Sequence, residues 1–272
     1  MIDGPTLGDV AARWRRDLES WAIPDDILRA APQSPWSFPP RLFRWAAVAA
    51  LDDPEPTPSR LRALDALPVG GSVLDVGAGA GAGSLPLAPP ADELIAVDER
   101  GAMLGVFAEM AEGRGVRHLE ITGSWPDVEA ATPRADLVVC HHVLYNVADL
   151  VPFLRGLDRH ARRRVVVELT AAHPLSGLAG LWLAIHGLVR PSQPRASDAA
   201  EVAAALGYDV HVVPFEHRSL RDGAPLEERV AFARRQLCVG PEHDAEISAY
   251  FEGEAAAAGN RQLVTLWWDT DG

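Results

Sequence analysis

Between residues 72 and 170, short apolar runs alternate with stretches whose apolar positions recur every three to four residues. Such a pattern predicts strands buried on both faces and joined by helices, and hence a parallel sheet. The runs place strands at 72–76, 93–97, 118–121, 137–140 and 165–169, with helices at 100–112 and 147–160. Beyond residue 169 the pattern changes to an apolar helix over 175–189, a Pro191-Ser-Gln-Pro194 break and a helix over 198–206. A strand at 208–213, a helical insert at about 224–258 and a last strand at 262–268 complete the reading.

Ahead of the sheet, residues 7–67 read as short helices. Leu18, Trp21 and Ile23 close a first apolar face, and Pro32-Gln-Ser-Pro-Trp-Ser-Phe-Pro-Pro40 breaks it, because each proline removes a donor and restricts the residue before it. A helical period resumes over 42–51. The expected organisation is an N-terminal helical module or lid at 1–67 and one α/β domain at 68–272, with a cap insert at about 173–195. No internal repeat is visible.

Composition narrows the functional classes. Of the 272 residues, 48% are hydrophobic and 23% charged, the balance of a folded globular protein. The formal net charge of −13 repels polyanions, which disfavours broad nucleic-acid binding unless basic residues cluster locally. Arg155, Arg159, Arg162, Arg163 and Arg164 do cluster, and on the helix they are expected to end they read as a solvated face complementing its dipole. Two cysteines, Cys140 and Cys238, support neither a disulfide framework nor a metal site. Residues 1–16 lack the pattern of a secretory signal, and the most apolar stretch is too short to span a bilayer. The expected location is the cytoplasm, with no membrane partner.

The sharpest chemical signal is Val73-Leu-Asp-Val-Gly-Ala-Gly-Ala-Gly81, an apolar strand entering a glycine-rich turn. Dinucleotide enzymes use such a turn, and Gly77, Gly79 and Ala82 meet their relaxed spacing. Asp75 weighs against a dinucleotide, because a carboxylate at that strand end repels a pyrophosphate and favours a cationic group. A purely structural role would be to cap a following helix. Leu94-Ile-Ala-Val-Asp98 is a second apolar run ending in an acid, a device that accepts hydrogen bonds from ribose hydroxyls. His142, Tyr145 and His173 follow strand ends and are the candidate bases, since histidine suits deprotonation of a hydroxyl near neutral pH. Each is also readable as a packed hydrogen-bonder.

Taken in order, Val73 to Gly81, Asp98, Thr122-Gly-Ser-Trp125 and Asp136-Leu-Val-Val-Cys-His-His-Val-Leu-Tyr-Asn-Val147 resemble the motifs of class I S-adenosylmethionine-dependent methyltransferases. The resemblance covers roughly residues 67–170. It implies a Rossmann-like, doubly wound seven-stranded sheet whose last strand is antiparallel, decorated by the helical module and the cap insertions. By the same resemblance Gly77, Gly79 and Gly81, with Ala78 between them, would pass under S-adenosylmethionine. Asp98, with Glu99 beside it, would hold the ribose, Ser124 and Trp125 would border the adenine, and Cys140 and His141 would lie beside the methionine portion. No metal is implied.

The departures from the family matter too. Nucleobase amino-methylating members carry an Asn/Asp-Pro-Pro-aromatic box where this chain has Cys140-His-His-Val143. Cytosine-C5 members need a nucleophilic cysteine commonly preceded by proline, whereas Cys140 follows Val139. Many small-molecule O-methyltransferases place a basic histidine where this chain has Tyr145. Trp36, Phe38 and Tyr145 are the candidate acceptor contacts, because aromatic walls suit a small, partly hydrophobic acceptor. The expected activity is methyl transfer to a small molecule. An RNA- or protein-directed methyltransferase and a non-catalytic S-adenosylmethionine-binding protein are the alternatives.

Overall fold

A computed structural model describes residues 4–36, 40–218, 225–253 and 260–271. The strands are β1 (Ser72–Val76), β2 (Glu93–Asp98), β3 (Arg117–Thr122), β4 (Ala135–His141), β5 (Ala161–Thr170), β6 (His211–Arg218) and β7 (Asn260–Asp269). They form one sheet in the order β3-β2-β1-β4-β5-β7-β6. Strands β1 to β5 pair in parallel, and β7 lies antiparallel between β5 and β6. This is the Rossmann-like seven-stranded sheet with its last strand reversed.

Central strands are buried on both faces because helices cover both. All five residues of β1 are buried. On one face Leu74, Val76, Val138 and Val165 pack with Trp14 of α1 (Leu7–Glu19), Leu154 of α6 (Leu150–His160) and Val202 of α8 (Ala196–Ala205). On the other, Val73, Leu94, Leu137 and Val166 meet Ala47 of α3 (Pro40–Asp52), Ala63 of α4 (Pro58–Ala66) and Phe107 of α5 (Gly101–Arg114). The N-terminal helices therefore lie along both faces of the sheet. A third cluster joins Ile23 to Trp182 of α7 (Ala179–His186), Ala233 of α9 (Leu226–Gln236) and Ile247 of α10 (Asp244–Glu252). The remaining helix, α2 (Asp25–Ala30), precedes the proline-rich joint.

Several element boundaries differ from the sequence reading for local reasons. The apolar helix expected over 175–189 is the shorter α7 after a 3-10 turn at Ser176–Leu178, and it stops where Gly187 takes a left-handed conformation. Helix α6 begins at Leu150 rather than 147, where the Val147 carbonyl accepts the Trp14 indole N–H at 2.8 Å. Arg162, Arg163 and Arg164 do not end that helix but open β5. The helix closes at His160, whose Nδ1 and Nε2 lie 3.0 Å from the Gly156 and Thr132 carbonyls. Strand β6 starts at His211 rather than 208, Tyr208 being stacked on Trp268 at 5.1 Å.

Candidate functional site

The sheet order turns back between β1 and β4: β2 lies on one side of β1 and β4 on the other. A crevice outside the carboxyl ends at such a point is where open α/β sheets bind ligands. Four strand ends meet this rim. They carry the glycine turn after β1, Asp98 on β2, His141 closing β4 with His142 and Val143 after it, and Glu168 on β5.

Backbone bonds fix the turn against β2. The Gly77 and Ala78 N–H groups donate to the Val97 carbonyl at 2.8 and 3.0 Å, and Gly79 N–H donates to Asp98 Oδ2 at 2.9 Å. The other Asp98 oxygen accepts Arg100 N–H at 2.9 Å. Gly77 has φ +73°, and a Cβ there would lie 2.3 Å from Val143 Cγ2, so both conformation and space exclude a side chain. Gly79 faces the Phe43 ring, with 3.2 Å to a notional Cβ. Gly81 faces a packing constraint as well. A Cβ there would fall 2.7 Å from Phe107 and 2.8 Å from Leu85, so its missing side chain is required by core packing beneath the turn.

The segment after the turn bears on the ligand. The chain enters a 3-10 turn at Leu85–Leu87, and no α-helix lies between β1 and β2. A diphosphate is therefore offered no helix N-terminus of the kind dinucleotide sites use. For the same reason Asp75 has no helix to cap. It is buried, and its Oδ2 accepts the Ser84 hydroxyl at 2.6 Å. Burial raises its pKa from 3.8 to about 7, against the Ser84 hydrogen bond and with a further rise from the Asp98 charge. A cationic group beside it would favour its charged form. Diphosphate fits these residues poorly, whereas an ammonium or sulfonium fits them well.

The three candidate bases occupy different surroundings. His142 has φ 60°, a left-handed conformation that is costly without glycine. Its N–H donates to the Glu168 carbonyl at 2.7 Å, and its Nε2 lies 3.3 Å from Glu168 Oε1, with 46% of the side chain exposed. Glu168 is buried. Burial alone would raise its pKa, but the charges of His141 and His142 and hydrogen bonds from His142 and Ser59 hold it at about 2. Tyr145 instead spends its hydroxyl on the Thr170 carbonyl at 2.9 Å, and burial pushes its pKa up. His173 is stacked on Trp21 at 3.8 Å, and burial followed by the Arg190 charge lowers its pKa to about 4. Of the three, His142 alone combines exposure with a carboxylate partner. Sequence reading missed Glu168, although its signal was present: an acid closing an apolar run, as Asp75 and Asp98 do.

The other expected residues divide. His141 packs against Gly83, burial lowers its pKa, and its Nε2 is buried without a hydrogen-bond partner. Cys140 is buried, and burial followed by the Asp75 charge raises its thiol pKa. Glu99 accepts the Ser124 hydroxyl at 2.8 Å, tying the ends of β2 and β3. Trp125 is buried, with its indole N–H donated to the Phe153 carbonyl at 3.3 Å. Trp36 is 55% exposed on the proline-rich joint, and Phe38 lies outside the described residues. Among the described residues no His/Cys/Asp/Glu group could hold a metal, and no helix is long and apolar enough to cross a membrane.

Known proteins resemble this chain at two levels. Residues 74–167 match the family model described as a methyltransferase domain. An uncharacterized protein of Haemophilus influenzae is 32% identical over 104 residues, a stretch that spans 38% of this chain and 38% of that relative. Among solved structures, the cyclopropane-fatty-acyl-phospholipid synthase-like protein from Lactobacillus casei aligns over 94% of this chain and 98% of its own, with 15% identity and a TM-score of 0.54. A putative sarcosine dimethylglycine methyltransferase from Galdieria sulphuraria aligns over 85% and 86%, with 16% identity and a TM-score of 0.53. Coclaurine N-methyltransferase bound to N-methylheliamine and SAH aligns over 97% and 95%, with 14% identity and a TM-score of 0.50. At these identities the solved structures show a shared fold.

Proposed function

We propose that this class I S-adenosylmethionine-dependent methyltransferase transfers the methyl group to a small organic acceptor at the β1/β4 crevice, with His142 as the base. The observation that carries the reading is the His142–Glu168 pair, set at the same rim as the buried Asp75 carboxylate. When bound, S-adenosylmethionine supplies an electrophilic methyl group on a sulfonium. Asp75 offers a carboxylate to the cationic amino-acid end of the cofactor, over the cradle of Gly77, Ala78 and Gly79. Asp98 and Glu99 receive the ribose, and Ser124, Trp125, Cys140 and His141 border the rest.

His142 accepts the proton that the acceptor hydroxyl or amine gives up as its lone pair bonds to the methyl carbon, the electrons of the broken sulfur–methyl bond staying on sulfur to leave neutral S-adenosylhomocysteine. Glu168 is a positioning residue: it orients the imidazole and stabilises the imidazolium that forms. Alignment of acceptor and methyl group supplies much of the remaining acceleration.

A small acceptor is supported by the state of the arginine cluster. Three of its five members are engaged, Arg159 with Glu129, Arg163 with Asp136 and Arg164 with Asp269, so the cluster offers a polyanion less positive charge than its sequence suggests. Incubating the protein with labelled cofactor and a cell extract, then separating small molecules from RNA and protein, tests the reading. Label is expected in the small-molecule fraction. Label confined to RNA or protein would replace this reading with a macromolecular one, and calorimetric heat from a dinucleotide with none from S-adenosylhomocysteine would overturn it altogether.

A further inference from the structure

The cap holds a second polar centre that the methyl-transfer reading does not use. Arg190, in the loop after α7, is 7% exposed. Its guanidinium lies between two indoles, 5.1 Å from the Trp21 ring and 4.9 Å from the Trp182 ring. It donates to the Trp21 carbonyl and, at 3.4 Å, to the Ala22 carbonyl. No carboxylate among the described residues pairs with it, and its Nε is buried without a partner. Arginine does not shed its charge at ordinary pH, so a buried guanidinium without an anion is costly.

A second observation falls on the same spot. The indole Nε1 of Trp182 is also buried without a hydrogen-bond partner, although buried indole N–H groups usually find one. Two unused donors, one of them on a cation, thus sit on side chains in contact, and what they lack is an acceptor with negative charge. A run of ring contacts joins the centre to the segment after β4: Trp21 stacks on His173 at 3.8 Å, and His173 meets Tyr145 edge-on at 5.3 Å.

We propose that Arg190 and Trp182 form a subsite for a small oxyanion, a carboxylate or phosphate group, which accepts the Nε–H and the indole N–H. Resting on the methyl-transfer reading, we assign this oxyanion to the acceptor. One carboxylate has two oxygens for the two donors, and hydrogen bonds to charged groups are the stronger kind.

The test uses the full chain at fixed ionic strength, with binding of benzoate, phenyl phosphate and the neutral control benzyl alcohol followed by calorimetry. At least one anion is expected to bind and the alcohol not, with the stronger anion identifying carboxylate or phosphate. Arg190→Gln should weaken anion binding roughly tenfold or more and Trp182→Phe several-fold, as expected for losing a charge-assisted and a neutral donor. Should the arginine variant fail to fold, Trp182→Phe, which keeps an aromatic ring, still decides. No preference for anions in the wild type, or equal anion binding in Trp182→Phe, would overturn the subsite. S-adenosylhomocysteine binding, measured on the same samples, is expected to be unchanged in both variants. Anion binding without S-adenosylhomocysteine binding would uphold the subsite and bring down only its link to a methyl acceptor.

Discussion

Asp75 and Arg190 are both buried charges without an ionic partner, one at the end of β1 and the other in the cap, and their chemistry makes them unequal. The carboxylate escapes its predicament by taking a proton, which is why burial carries its pKa to about 7. The guanidinium has no such exit and leans on two carbonyls and two indole faces instead. The strand-end region therefore changes charge near neutral pH, while the cap keeps a fixed positive centre. If strand ends perform chemistry and the cap recognises, damage to the first should show in kcat or cofactor binding and damage to the second in acceptor binding.

The largest effect expected on that division belongs to His142. Replacing it with glutamine should lower kcat by roughly 10²–10⁴-fold, the usual worth of general base catalysis, and leave S-adenosylhomocysteine binding unchanged. Glu168→Gln should give a smaller fall together with a displaced pH–rate profile, because it acts through the imidazole. A kcat within twofold of wild type for His142→Gln would show that alignment alone suffices and that the pair is structural.

Asp75→Asn comes next. Losing the charge partner of the cofactor's cationic end should weaken S-adenosylhomocysteine binding by about 100-fold, in line with roughly 3 kcal/mol for a charge-assisted bond. The pH dependence has a definite sign. Because the folded pKa stands above the ordinary value of 3.8, the stability contributed by protonated Asp75 is full below about pH 4 and lost as pH rises through about 7. Chemical denaturation should thus show the wild type losing stability relative to Asp75→Asn across that window. Cofactor affinity should run the other way, growing as pH rises through about 7 in the wild type and staying flat in the variant. Parallel pH profiles in the two proteins would remove Asp75 from the site.

Gly81→Ala sharpens the distinction within the turn itself. Its new methyl would press on Phe107 and Leu85, so a stability loss of about 1–3 kcal/mol is expected, with cofactor affinity little changed for the fraction that remains folded. A variant of native stability that binds cofactor poorly would return Gly81 to the ligand-facing side.

The two regions also differ in how far the chain announces them. Asp75, the glycines and Asp98 each close an apolar run, so strand, turn and acid are read from a single short window. The fold was legible for the same reason: strands buried on both faces leave continuous apolar runs, and the reversed last strand came from the family resemblance. Glu168 carried the same local mark and was overlooked because it faces two histidines from a neighbouring strand, a relation that only the β4–β5 pairing creates. The cap centre was illegible in principle. Trp21 and Arg190 are held together by packing across the chain; Trp21 closes an apolar face in the sequence, but no local pattern marks Arg190 or joins the two. Boundaries failed where tertiary contacts overruled local preference, as when the Trp14 indole claims the Val147 carbonyl.

The smallest expected effect concerns the arginines that open β5. Reversing Arg162, Arg163 and Arg164 to glutamate would turn two ion pairs into like-charge contacts, Arg163 with Asp136 and Arg164 with Asp269. Arg164 also stacks on Trp267 at 4.1 Å. The exposed Arg163 pair contributes about 0–1 kcal/mol, whereas Arg164 is largely buried and also donates to the Arg62 carbonyl, so a stability loss of about 3 kcal/mol, most of it from Arg164, is expected. These residues begin β5, whereas the crevice lies at its carboxyl end, beyond Glu168. S-adenosylhomocysteine affinity and turnover of a small acceptor should therefore stay within about twofold of wild type, since surface charges separated by more than a Debye length of roughly 8 Å are largely screened. An RNA-directed enzyme would behave differently: losing three phosphate contacts would flatten the salt dependence of binding by about three units of slope. Measuring that slope with a generic RNA, before and after the reversal, makes a small effect decisive between the two kinds of acceptor.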